Sequence, residues 1–192
     1  MKDINQQFIG YNDLINKVNL FDNNWCEKIS KTCLEKHLLC IGSRENLQQF
    51  GTNLIQKLNF KFSAEVSSLY GKHIKNIEDF CYQLYHSTIS DETFFVDGYF
   101  IRDILRDKRT AINNFFIWYD ADILYQNSYD TFTMIFESFL EIGFELDQEK
   151  IHLRSIILLE ESESIKIRKL IKNKEKFPIE ILKIDNFSTT LK

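Results

Sequence analysis

The sequence is poor in the residues that interrupt regular structure. Proline occurs once and glycine six times in 192 residues. So few breaks predict a chain that is mostly regular structure joined by short loops. No apolar run reaches the roughly 20 residues needed to span a bilayer, which argues against a membrane segment. The N-terminus, MKDINQQFIGYN, lacks the apolar stretch of a secretory signal. The four cysteines, Cys26, Cys33, Cys40 and Cys81, include no Cys-x-x-Cys pair. Without an export signal they are expected to be reduced thiols in a cytoplasmic protein. A basic excess is also missing. Lys and Arg total 24 against 28 Asp and Glu, giving a net charge of −4. That balance argues against a general nucleic-acid binder.

What the chain does have is 44% hydrophobic residues, with 17 Phe against two Met. This is enough to bury a sizeable core. Residues 1–36 are polar and Asn-rich, and the spacing of Leu14, Ile15, Val18 and Leu20 predicts a helical lead-in. From residue 37 onward, strand and helix signals alternate. Short apolar runs at 38–41, 66–70, 115–119, 153–159 and 179–184 read as strands. Between them, Ser43, Asn76 and Ser128 are placed to cap helices, and Gly143 reads as a C-terminal stop. A further helix is expected around Tyr99–Asp107, and a basic one over Ser164–Asn173. Near-continuous apolar strands alternating with helices imply an α/β fold. Its mostly parallel central sheet would have about five strands, with helices on both faces. Residues 37–192 then form a single α/β domain behind the lead-in.

Catalytic motifs are scarce. Asp120 and Asp122 follow the strongest strand signal, where open parallel sheets bind ligands, so they are candidates for holding a metal or a nucleotide. The turn that would cradle phosphate reads Gly42-Ser43-Arg44-Glu45-Asn46, with no second Gly and no Lys-Ser/Thr pair. Cys33, His37 and Cys40, with Cys26 nearby, have the residue types of a zinc site. Strand alternation, however, points His37 and Cys40 to opposite faces. No cysteine is positioned beside His73, His86 or His152 for nucleophilic catalysis, and no Gly-x-Ser-x-Gly elbow occurs. The stretch Lys166, Arg168, Lys169, Lys172, Lys174 and Lys176 follows Glu160, Glu161 and Glu163. That order suits a solvated helix whose charges match its dipole. In Thr93–Asp107, aromatic rings alternate with carboxylates, a composition that suits a protein interface.

Two family resemblances follow from these residues. Leu69-Tyr70-Gly71-Lys72-His73-Ile74 with Phe80 and Leu84 resembles the first strand and helix of the barstar family of ribonuclease inhibitors. Tyr99-Phe100 before Arg102-Asp103-Ile104-Leu105-Arg106-Asp107 is similar to that family's acidic inhibitory helix. Phe116–Leu124, residues 129–141 and Ile156–Leu159 are similar to its later elements. The family's Gly-x-Asn-Leu-Asp-Ala signature is absent, so Asp97, Asp103 and Asp107 compete for the inhibitory role beside Tyr99. Residues 37–184, with their strand ending in Asp120-Ala121-Asp122, also resemble the core of AAA-type P-loop ATPases. The missing phosphate loop makes that reading a degenerate, non-hydrolysing relative.

The leading expectation is a non-enzymatic protein-binding module without a cofactor. It would be an inhibitor or immunity protein acting on a basic toxin or nuclease through Asp97, Tyr99, Asp103 and Asp107. The alternative is a degenerate P-loop domain that binds a nucleotide or a partner without hydrolysis.

Overall fold

The computed structural model describes residues 15–20, 22, 24–86, 98–107, 111–162, 166–172 and 174–185. Six strands form one sheet: β1 (Ile15–Asn19), β2 (His37–Gly42), β3 (Glu65–Tyr70), β4 (Asn113–Tyr119), β5 (His152–Glu160) and β6 (Ile179–Asp185). Their order is β1-β6-β2-β5-β4-β3, and every neighbouring pair is parallel. The five strands expected from apolar runs are all present, each within two residues of its expected ends.

The sixth strand corrects the reading of the lead-in. Residues 15–19 are not helical but extended, and they pair with β6 from Ile15↔Ile181 to Asn19↔Asp185. This segment therefore belongs to the same sheet as residues 37–185. A five-residue edge strand with few apolar positions has no periodicity of its own; the exposed edge of β6 makes it a strand.

Seven helices cover the sheet among the described residues: α1 (Trp25–Glu35), α2 (Arg44–Phe62), α3 (Ile77–His86), α4 (Gly98–Asp107), α5 (Ala121–Asn127), α6 (Tyr129–Asp147) and α7 (Ile167–Ile171). Strand alternation divides the core in two. Leu38, Cys40, Phe115, Ile117, Ile156 and Leu158 face α1 and α2, packing with Trp25, Ile29, Phe50 and Leu54. Leu39, Ile41, Phe116, Trp118 and Ile157 face the other way, against Phe80, Ile104, Phe132, Phe136 and Phe139 of α3, α4 and α6. Phenylalanine rings pack against one another in the second layer. The Phe80 ring meets the Phe139 ring edge-on at 6.2 Å, and the Phe116 ring meets it tilted at 5.3 Å.

Two local expectations were overturned by packing. Gly143 does not stop a helix; α6 runs through it to Asp147. A Cβ there would lie 2.7 Å from the Leu153 carbonyl and 2.8 Å from His37. The glycine is thus a close-approach point between helix and sheet, and not a cap. The basic segment forms only the five residues of α7, and its lysines are not all solvated. Lys174 is buried and pairs with Glu137 at 3.0 Å, while Lys169 lies 4.0 Å over the Tyr129 ring.

Candidate functional site at the carboxyl end of the sheet

Parallel strands direct all their carboxyl ends to one side, where ligands of open α/β sheets bind. Strand order decides what meets there. β5 is inserted between β2 and β4, so the Gly42 turn and Asp120 flank Glu160 at the end of β5.

The connection from β2 to α2 is as short as it can be. The strand ends at Gly42, the helix begins at Arg44, and Ser43 alone lies between. Ser43 is the N-cap, and its hydroxyl accepts from the Asn46 amide at 3.3 Å. A Cβ on Gly42 would lie 2.5 Å from the Ile184 carbonyl, so the β2 and β6 ends are tightly apposed. There is no loop here to wrap a phosphate, and one helix amide that could bind it is already engaged by Ser43.

Arg44 reaches from this turn across the sheet end. Its Nε lies 3.2 Å from Asp120, and its Nη2 lies 2.7 Å from Glu160 and 3.7 Å from Asp122. One guanidinium thus neutralises part of three carboxylates. Asp120 sits at φ 50 between β4 and α5, a left-handed conformation that Asp tolerates better than most residues. Gly71, on the turn after β3, allows this backbone: a Cβ there would lie 2.1 Å from the Asp120 carbonyl. Asp122 is buried in the first turn of α5 and accepts from the Glu160 amide at 3.1 Å. Burial raises its pKa, while the Glu160 and Asp122 amides and Arg44 oppose the rise. Asp120 and Asp122 are therefore brought together as expected, but around an internal cation. The role of Arg44 was not legible in the sequence, because its partners lie 76, 78 and 116 residues away.

The other candidates are scattered. Asp97 lies outside the described residues. Tyr99 is in α4, and its side chain lies outside them as well. Asp103 and Asp107 are exposed on the same helix. The opposite side of α4 is buried through Ile101, Ile104 and Leu105. It is fastened to α6 by Arg102–Glu141 and by Arg106–Glu145 at 3.0 Å. Cys33 and Cys40 are fully buried in the α1–α2 layer, and desolvation pushes both thiols well above their ordinary pKa. His37 instead lies against β5, where its Nδ1 accepts from the Ser155 amide at 3.1 Å. No group of three metal-ligating side chains occurs among the described residues. No described helix is long and apolar enough to cross a membrane.

No family model matches this chain, and no curated protein matches it either. Among solved structures, it is similar to a chain in "Structure of Drosophila ORC bound to DNA", with a TM-score of 0.56 at 12% identity. The match covers 86% of this chain and 43% of that one. The likeness is one of fold. This chain spans less than half the length of the protein it matches.

Proposed function

We propose that this chain is a degenerate P-loop-type domain of the AAA kind that works by binding a partner and does not turn over nucleotide. The observation that carries this reading is the position of Arg44. Its guanidinium lies among Asp120, Asp122 and Glu160, where a P-loop enzyme would gather magnesium and phosphate. The one-residue Gly42–Arg44 connection leaves no amide cradle and no phosphate-binding Lys. The likeness to a chain of the DNA-bound ORC structure supports this reading at the level of fold.

The test is direct. Purified protein is expected to hydrolyse no ATP and to show no magnesium-dependent ATP affinity tighter than about millimolar, near −4 kcal/mol. Micromolar, magnesium-dependent binding that is lost in Asp120→Asn would overturn the reading.

The exposed acidic face of α4 supports a docking role. Asp103 is 70% exposed beside the Arg106 side chain, and Asp107 lies one turn further along. Such carboxylates suit a basic partner, as the barstar resemblance implies, with inhibitor or immunity protein as the specific form. With a partner recovered by pull-down and mass spectrometry, Asp103→Ala and Asp107→Ala should each weaken binding by about 1 kcal/mol or more at unchanged melting temperature. Wild-type affinity in both variants would remove α4 from the interface.

A further inference from the structure

Beside the cluster that Arg44 fills, the carboxyl end of the sheet has an open region. Tyr70 ends β3 and Tyr119 ends β4. Their rings stack with centroids 5.5 Å apart and an interplanar angle of 10°. Tyr119 is buried from behind by α2: a Cβ on Gly51 would lie 2.7 Å from its ring, and Thr52 hydrogen-bonds its hydroxyl. Tyr70 forms the outer half of the pair and is 46% exposed. Its backbone is fixed by Gln83, whose side-chain amide accepts from the Tyr70 N–H at 2.8 Å and donates to the Tyr70 carbonyl at 3.1 Å. The ring is thus held on a rigid strand end while much of its surface remains in water.

Two clefts meet at this ring. One, of about 490 Å³, lies between Tyr70 and α2 and is lined by Gln48, Thr52, Gln56 and Lys72. The other, of about 520 Å³, lies between Tyr70 and α3 and is lined by His73, Gln83 and His86. Each has the size of a small-ligand site. Planar stacking surface, side-chain amides and a lysine at one place are the groups that recognise a ring carrying hydrogen-bonding edges and a nearby anionic charge. The clefts carry charge of both signs: Lys72 lines one of them, and Asp79 and Asp120 line them as well. Lys72 and Lys75 are exposed and without an ion pair among the described residues. Of the two lining carboxylates, one meets a neutral amide and the other shares a cation with two further acids. Asp79 accepts from the Lys75 amide at 2.9 Å, and Asp120 is paired with Arg44 at 3.2 Å. At physiological ionic strength, charges further than about 8 Å are largely screened, so these neighbours matter more than the net charge.

We propose that the two clefts flanking Tyr70 bind single-stranded nucleic acid, with a nucleobase stacked on the Tyr70–Tyr119 pair and Lys72 against the backbone phosphate. Two clefts on either side of one ring suit consecutive linked bases better than a lone nucleotide. Stacking of this kind tolerates every base, and phosphate contacts make it salt-sensitive. The site requires neither the Gly42–Arg44 turn nor magnesium. Its failure would leave the phosphate-site reading untouched, and failure of that reading would leave this site standing.

The experiment is fluorescence anisotropy of the full chain with labelled oligo-dT and oligo-dA at low salt, without magnesium, and with AMP as competitor. Saturable binding that falls with salt is expected. Tyr70→Ala should weaken it about 5- to 100-fold, Tyr70→Phe should retain it, and Lys72→Ala should lower the salt slope by about one. Displacement by AMP assigns the site to a free nucleotide as well; no displacement assigns it to the strand. Photo-crosslinking of a bromouridine-containing strand to the wild type, mapped by mass spectrometry, provides a readout even if Tyr70→Ala fails to fold. Adducts at Tyr70 support the site, and adducts confined to other surfaces overturn it. The proposal is equally overturned by absence of saturable binding, by unchanged affinity in a folded Tyr70→Ala variant, or by preference for a proline-rich peptide over either strand.

Discussion

Arg44 and Arg154 stand at opposite ends of one parallel sheet; Arg44 faces three carboxylates and Arg154 faces one. Arg154 is 3% exposed near the amino end of β5. Its Nη2 contacts both Asp147 oxygens at 2.8 Å, and its Nη1 donates to the Leu153 carbonyl at 2.9 Å. Its Nε has no hydrogen-bond partner among the described residues. Arg44 at the carboxyl end is 47% exposed and shared among three acids. The first is a buried cation paired with a partly exposed carboxylate, and it closes the end of α6 onto β5. The second is a half-solvated cation placed where ligands of this architecture bind. Position in the sheet, more than residue type, separates the two roles.

The largest effect that tests this contrast is at the buried end. Asp147→Ala leaves Arg154 buried and unpaired, and should cost about 3 kcal/mol, a fall in melting temperature on the order of 10 °C. Arg154→Met combined with Asp147→Leu should recover most of that loss in a urea titration, because two well-packed apolar side chains replace a desolvated pair. If the single variant melts like wild type, the amino end is not a structural clamp.

The two ends should also differ in the sign of their pH dependence. Burial, aided by the Arg154 cation, lowers the pKa of His37 to about 3 from 6.5. Its Nδ1 accepts from the Ser155 amide, so the ring must stay neutral. The unfolded chain binds this proton more readily. The stability from His37 is therefore complete above pH 6.5 and is lost as pH falls toward 3, at up to about 1.4 kcal/mol per pH unit. Asp122 works the other way. Its raised folded pKa favours the native state at low pH, and that contribution disappears as pH rises through the folded value. Urea unfolding across pH 3.5–7 should show the His37 slope, and His37→Gln should flatten it. A variant with the wild-type slope would remove His37 from the account.

The smallest effect concerns Arg44. Arg44→Ala should change stability by less than about 1 kcal/mol, since the cation is half exposed. It should raise the Asp122 pKa further, because Arg44 is one of the groups that lower it. Carboxyl NMR titration reads this directly. A variant that unfolds would show that both ends of the sheet are clamps and would erase the distinction.

Much of this molecule was readable before its structure. The runs His37–Ile41, Phe115–Tyr119 and Leu153–Leu159 are apolar on both faces, and only a strand covered on both sides uses such a pattern. Ser43 and Asn76 cap as their side chains suggest, Asn76 accepting from the Asp79 amide at 2.9 Å. Asp120 and Asp122 stood out because they follow a buried strand at the end of the sheet where ligands of this architecture bind. Less legible were features decided by contact with a distant segment. Gly143 has the local setting of a helix stop, but His37 and Leu153 make it a packing notch. Lys174 has the setting of a solvated charge, but Glu137 draws it into the protein.

By itself, then, the sequence determined the alternation of strand and helix, the parallel α/β class and the absence of a phosphate-cradling loop. These depend on local periodicity, capping chemistry and the presence or absence of particular residues, all of which act within a few positions of the chain. Only the tertiary structure decided that residues 15–19 complete the sheet, that Arg44 fills the cluster of Asp120, Asp122 and Glu160, and that Tyr70 and Tyr119 stack beside it. Those pairings join residues dozens of positions apart. Their geometry is set by strand order and register, which no local pattern encodes.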